Sequence, residues 1–229
     1  MKSECEICGS ASLRRLGERI YKMPLRDGGH FEFIQTDTIC ESCGFLFNTT
    51  PPPDDKLKYY YERNRRYACN YYYGNRLRMI KKMCGTIKYS VPAVKDIGSD
   101  SDFQDLLRDR GYRSDAERFD IITLYYVLEH ISGIRDFAKG IIAELKPTGH
   151  LIVEVPDFAR CPIESLYPEH LCHFTPFHLR IFCESLGLEL IETEVAHSRN
   201  FGFCSAFRLK TNPVNMEEIY TTFEDNYGH

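Results

Sequence analysis

The 229-residue chain has no tryptophan and no apolar run approaching the roughly 18 residues of a membrane helix. The first absence excludes nothing; the second excludes a helical membrane span. The opening Met-Lys-Ser-Glu-Cys-Glu has no apolar core of a secretory leader, so a cytoplasmic location is expected. Basic excess is also missing. Lys and Arg number 29 against 33 Asp and Glu, and the net charge of −4 argues against nucleic-acid binding by the chain as a whole. Apolar residues make up 43% of the sequence, enough to build a real core rather than a disordered chain. The length suits one ordinary domain plus a small module.

Cysteine, in contrast, is abundant, with ten residues. In a reducing compartment paired thiols signal a metal more often than a disulfide. Four of them fall in two Cys-x-x-Cys turns, Cys5-x-x-Cys8 and Cys40-x-x-Cys43. Each turn aims two thiolates at one ion, and two turns fill the tetrahedral shell that Zn2+ prefers. A shell closed by four cysteines has no open position, so the expected role is structural. Gly9 and Gly44 follow the pairs and relax the tight turns. Cys69, Cys84, Cys161, Cys172, Cys183 and Cys204 lack ligand spacing and read as core residues.

The punctuation divides the chain into a zinc-binding module over 1–50, a Tyr/Lys/Arg-rich helical linker or cap over 51–90, an α/β domain over 91–211 and an acidic tail over 212–229. Alternating Phe31, Phe33 and Ile39 predict short strands around the metal. Pro51-Pro52-Pro53 breaks both helix and central strand. Residues 54–88 predict helix. They carry ten Lys and Arg against three Asp and Glu, with seven tyrosines between 59 and 73. Basic residues among aromatics can stack nucleic-acid bases, but interdomain packing with some anionic contact is the preferred reading. Strands are predicted at 94–97, 119–124, 150–155, 188–195 and 203–210. Helices are predicted at 102–110, at 134–146 before Pro147, and at 176–186 before Gly187. This alternation predicts a mostly parallel sheet.

Several of these pieces together resemble one family. Val94-Lys-Asp-Ile-Gly-Ser99 is similar to the first strand and glycine turn of class I S-adenosylmethionine (SAM) methyltransferases. Phe119-Asp-Ile-Ile-Thr-Leu-Tyr-Tyr-Val-Leu-Glu-His130 resembles the family's fourth strand and its acidic-histidine turn. Leu145-Lys-Pro-Thr-Gly-His-Leu-Ile-Val153 resembles the entry to the fifth, and Pro168-Glu-His-Leu-Cys-His-Phe-Thr-Pro176 a late histidine segment. With the leading zinc module, the chain resembles methyltransferases that act on nucleotide-linked deoxysugars. The resemblance implies a Rossmann-like fold, SAM contacts from Asp96, Gly98, Ser99 and Leu124, and a nucleotide-sugar substrate. In sugar C-methyltransferases of this type a Tyr-His-Glu-His run supplies acid and base groups. Tyr167, Glu169 and His170 match it, while Pro168 replaces the first histidine. C-methylation beside a ketone needs a base to form the enolate, and histidine titrates in the right range.

Two departures oppose SAM binding. Where the family has Asp-x-Gly-x-Gly-x-Gly, this chain has Asp96-Ile-Gly-Ser-Asp-Ser-Asp102, with Asp100 and Asp102 in glycine positions. Side chains and charge there oppose an approaching carboxylate. Only residues 99–117 separate the Gly98 turn from the next strand, room for one helix since a βα unit needs about 20 residues. The family places two strands and the ribose-binding acid in that interval. Asp115 is the one nearby candidate acid, and no strand leads to it. The expectation is therefore a reduced Rossmann-like sheet lacking two strands, with 94–97 at its edge. That edge should be covered by a second subunit, the zinc module or the tyrosine-rich helices. The sequence leaves two readings: a compact sugar-type methyltransferase, or a pseudoenzyme acting as a partner or substrate-binding module. A zinc-ribbon nucleic-acid binder is a weaker third.

Overall fold

The computed structural model describes residues 2–24, 28–52, 55, 58–59, 73–85, 91–99, 101–195 and 201–210. The rest, including Asp100, most of the tyrosine-rich segment and the acidic tail, lies outside the described residues.

The N-terminal part is an antiparallel sheet. β1 (Leu13–Pro24) and β2 (His30–Cys40) form a long hairpin, and β3 (Leu46–Asn48) pairs with β2. The fourth strand comes from the far side of the chain. β7 (Cys172–His173) pairs with β3, so the order is β1-β2-β3-β7. The boundary expected at the three prolines is thus bridged by backbone hydrogen bonds: Asn48 N–H donates to the Leu171 carbonyl at 2.8 Å.

The larger sheet has the order β4-β5-β6-β9-β8. β4 (Val94–Ile97), β5 (Phe119–Tyr125) and β6 (Leu145–Pro156) run parallel. β9 (Gly202–Leu209) inserts antiparallel between β6 and β8 (Leu188–Val195). Two of the four ladders are therefore antiparallel, more than the sequence suggested. The reason is the short connection from Val195 to Gly202, since a parallel crossover needs a dozen or more residues.

Helices cover both faces. α1 (Tyr73–Cys84) and α2 (Ser101–Asp109) lie on one side, where Leu77, Ile80, Met83, Phe103 and Leu107 pack on Ile121, Tyr125 and Ile152. α3 (Ile134–Ala143) and α4 (Pro176–Ser185) lie on the other, where Ile134, Ala138, Leu179 and Phe182 share one core with Ile7, Phe45 and Phe47 of the cysteine module. α4 begins at Pro176, with Thr175 as N-cap accepting from the His178 N–H. α3 ends at Ala143, three residues before the predicted stop, because the Glu144 carbonyl accepts from Phe119 N–H and Leu145 enters β6.

β4 is the last strand of this sheet among the described residues. Most of the tyrosine-rich segment, one of the three expected covers, lies outside the described residues. The chain itself caps its start: Val94 N–H donates to the Arg113 carbonyl at 2.7 Å, and Arg113 N–H donates to Pro92. Beyond that bridge a groove of about 260 Å³ follows the edge, lined by Lys95, Asp96, Gln104, Arg108 and Tyr112.

Candidate functional site

Candidate functional residues gather at three places: the four thiols, the carboxyl end of β4–β6, and the histidine loop.

The four cysteines converge. Cys5 Sγ lies 3.7 Å from Cys43 Sγ, Cys8 Sγ lies 3.5 Å from Cys40 Sγ, and all four sulfurs fall within 4.8 Å of one another. Zinc–sulfur bonds of about 2.3 Å in a tetrahedron put the sulfurs about 3.8 Å apart, so this set could hold zinc. The two turns are near copies. Gly9 N–H donates to the Cys5 carbonyl and Gly44 N–H to the Cys40 carbonyl, each at 2.8 Å, with both glycines at positive φ. The knuckles are clamped from outside. Arg135 donates to the carbonyls of Glu6 and Ile7, and His178 Nε2 lies 2.9 Å from the Cys43 carbonyl.

At the carboxyl ends of β4 and β5, where parallel sheets gather ligands, Asp96 accepts from Thr123 at 2.6 Å and from Ser99 at 3.1 Å. Burial raises its pKa above the usual carboxylate value, and the two hydroxyls hold it back only in part. Its Oδ2 is buried without a hydrogen-bond partner, a feature that an amino group could satisfy. Gly98 sits at φ +96°, and a Cβ there would meet Val127 Cγ2 at 2.3 Å and the Tyr125 carbonyl oxygen at 2.7 Å. The glycine thus packs against β5. Leu124 is buried in the core. Asp102 lies on the surface in the first turn of α2, where it complements the helix dipole.

A residue without a motif dominates this end. The Arg76 guanidinium, carried by α1, lies 4.3 Å from the Tyr125 ring centroid, donates to Ser99 Oγ at 3.1 Å and pairs with Glu154 at 3.3 Å. Glu154, at the carboxyl end of β6, is buried, which raises its pKa even against this arginine. Tyr126 beside it holds φ at 56°, an uncommon conformation for a tyrosine. The residues present fit SAM incompletely. Asp96 could take its amino group, but Arg76 engages Ser99, and no strand beyond β4 offers an acid for the ribose among the described residues.

The histidine loop brings Tyr167, Glu169 and His170 beside Glu129 and His130 of the acidic-histidine turn, all read from the sequence. A short 3-10 turn, Leu128–His130, follows β5. His170 stacks edge-on against His130, with ring centroids 4.9 Å apart, and lies 5.3 Å from the Tyr167 ring. The backbone carbonyl of Glu169 accepts from His130 Nδ1 at 2.9 Å. Glu129 is 1% exposed, with Oε1 3.7 Å from His130 Nε2. Burial lowers the His130 pKa. His173 is elsewhere: it sits in β7 against Phe158, and burial drives its pKa down to about 3. The module positions this loop, since Gln35 Nε2 donates to the Pro168 carbonyl.

No curated protein matches the chain. Among solved structures, the N-methyltransferase NodS from Bradyrhizobium japonicum shares 16% identity over 61% of this chain and 97% of its own, with a TM-score of 0.44. A SAM-dependent methyltransferase from Clostridium acetobutylicum shares 9% over 68% and 98%, with a TM-score of 0.45. The putative methyltransferase complexed with the Trm112 activator in Haloferax volcanii shares 12% over 59% and 90%, with a TM-score of 0.47. Residues 86–193, a little under half of the chain, match the family model described as a methyltransferase domain.

Proposed function

We propose that this chain is a methyltransferase-type domain with an eroded SAM site, stapled by structural zinc on Cys5, Cys8, Cys40 and Cys43, and that alone it transfers methyl groups weakly or not at all. One observation carries the reading: the Arg76 guanidinium sits over Tyr125 and bonds Ser99 and Glu154, at the strand ends where the methionine half of SAM would need to lie. The ending of the sheet at β4 among the described residues supports it, because the adenosine half then has one wall instead of two. The clustered rings of Tyr167, His130 and His170 would contact a small polar substrate of nucleotide-sugar type. The protein works as a binding or partner module, and a second copy or another chain completes the edge beside Lys95 and Asp96.

Isothermal titration calorimetry with SAM and with S-adenosylhomocysteine tests this. No heat at micromolar concentrations is expected, and micromolar affinity for either ligand overturns the reading. Arg76→Ala adds a second arm. Binding that appears only in this variant would identify the guanidinium as the obstacle; continued silence would place the fault in the missing wall.

The clustering of Tyr167, His130 and His170 favours a second reading, a working sugar C-methyltransferase. There His170 is the base that forms the enolate, while Tyr167 and Glu169 assist. SAM binding together with methyl transfer to a nucleotide-linked ketosugar, lost in His170→Ala, would establish it.

A further inference from the structure

Glu129, His130 and His170 offer one carboxylate oxygen and two ring nitrogens, all within 4.8 Å of one another and far in sequence from the cysteine knuckles. A metal bound at roughly 2.0–2.2 Å from each donor holds neighbouring donors about 3–3.5 Å apart. Small side-chain adjustments therefore bring this trio to bonding geometry.

The surroundings orient the donors. The Glu169 carbonyl, 2.9 Å from His130 Nδ1, can only accept, so the ring proton of neutral His130 belongs on Nδ1. Nε2 then presents a lone pair, and it faces the Glu129 carboxylate at 3.7 Å, too long for a hydrogen bond. An imidazole whose outer N–H is held by a backbone carbonyl is the usual support of a metal-binding histidine. The backbone fixes the third donor. Leu171 N–H donates to the Glu129 carbonyl at 2.6 Å, and His170 N–H to the Tyr167 carbonyl at 3.0 Å, so the loop carrying His170 is tied to the turn carrying Glu129 and His130.

We propose that Glu129, His130 and His170 form a second metal site, a two-histidine, one-carboxylate set for a divalent transition-metal ion. Two imidazoles select such an ion over Mg2+ or Ca2+, which take oxygen donors. Three protein ligands leave coordination positions open, unlike the closed four-cysteine shell. The His130 side chain is 23% exposed, so the site reaches solvent and an oxygen of a small ligand can enter. With the metal bound, His170 contributes its lone pair to the ion and does not act as a base. The inference goes beyond the proposed function and needs no SAM, so the calorimetric titration and the metal count fail independently.

The test is cobalt loading of the metal-free full chain, with metal counted by plasma mass spectrometry and followed by absorption spectroscopy. Two equivalents are expected. One should show the intense thiolate charge-transfer band of a four-cysteine site, the other only ligand-field bands. Glu129→Gln and His170→Ala should each drop the count to one and keep the thiolate band. A wild type that stops at one equivalent overturns the proposal, as does a variant that still binds two. Should a variant lose its fold and the thiolate band with it, cobalt-edge X-ray absorption of the two-equivalent wild type decides. Imidazole scattering around part of the cobalt is expected, and an all-sulfur environment, or one with oxygen and no imidazole, sinks the site.

Discussion

Arg76 and Glu154 form a pair with side chains 10% and 5% exposed, buried enough that losing one partner strands the other. Arg76→Ala should cost roughly 3 kcal/mol near pH 8. The cost should depend on pH in a definite direction. The folded-state pKa of Glu154 is already raised by burial, and removing the arginine raises it further. In acid, below the unfolded-state value, the carboxyl is neutral in both states and no ionic penalty arises. The penalty grows as pH rises from the unfolded-state pKa towards the folded-state one. Urea unfolding at pH 4 and pH 8 checks this, and an equal loss at both would refute it. Replacing both partners, Arg76→Met with Glu154→Gln, should recover most of the stability. At Gly98 the argument is steric. Gly98→Ala puts a methyl into Val127 and the Tyr125 carbonyl at a positive φ, and should cost about 2–4 kcal/mol by thermal unfolding. Neither role was equally legible. The glycine stood out in a motif, whereas Arg76 was one of ten basic residues in a stretch read as packing, because an ion pair 78 residues long in sequence leaves no local pattern.

Among the elements, the parallel strands were the easiest to read. β5 is buried along its whole length, so its apolar run marks it. The 12- and 11-residue strands of the N-terminal hairpin were foreseen only as short strands. Their faces are largely wet: Ile20 is 71% exposed and Ile34 54%, opposite one another, with charged residues between, so alternation carries little signal. The two-residue β7 could not be read at all, since pairing with β3 across more than a hundred residues is set by tertiary docking. Helix α3 contributes more than its apolar face. Through Arg135 it satisfies the Glu6 and Ile7 carbonyls inside the first knuckle, with three hydrogen bonds between 2.7 and 3.1 Å. Charged hydrogen bonds of this kind are worth about 1.5–3 kcal/mol when lost. Arg135→Ala should therefore lower stability by that amount and speed metal transfer from the four cysteines to a chromogenic chelator several-fold. Arg135→Lys, with one point of charge for a planar fork, should fall between. Unchanged transfer rates in Arg135→Ala would show that the clamp does not reach the metal.

At the scale of the whole molecule, sequence punctuation suggested a zinc module joined to an α/β domain by a linker, and the described residues fuse the two. Ile7, Phe45 and Phe47 share a core with Leu128, Leu171 and Phe182. β3 carries β7 on its edge, and the His178 ring rests on the Cys43 carbonyl. Three prolines in a row end an element, but they say nothing about whether the flanking parts later pack together, which is why the fusion was not readable. The fusion has a consequence for metal removal. Structural zinc stabilises by binding the folded state alone. Losing the proposed zinc should therefore loosen what the knuckles hold, including the loop from Tyr167 to His173, while β4 and β5 keep the parallel ladder that joins them within the larger sheet. Hydrogen exchange of the zinc-loaded and chelator-treated chain can separate these regions. The amides of Asn48 and Leu171, bonded to the Leu171 and Glu129 carbonyls, should lose protection by tenfold or more, and those of Ile122 and Thr123 should change little. Cys8→Ser should reproduce the pattern without chelator. Exchange that rises only within residues 5–45, with Leu171 unaffected, would mean that the histidine loop stands without the metal and that the two parts are mechanically separate despite their common core.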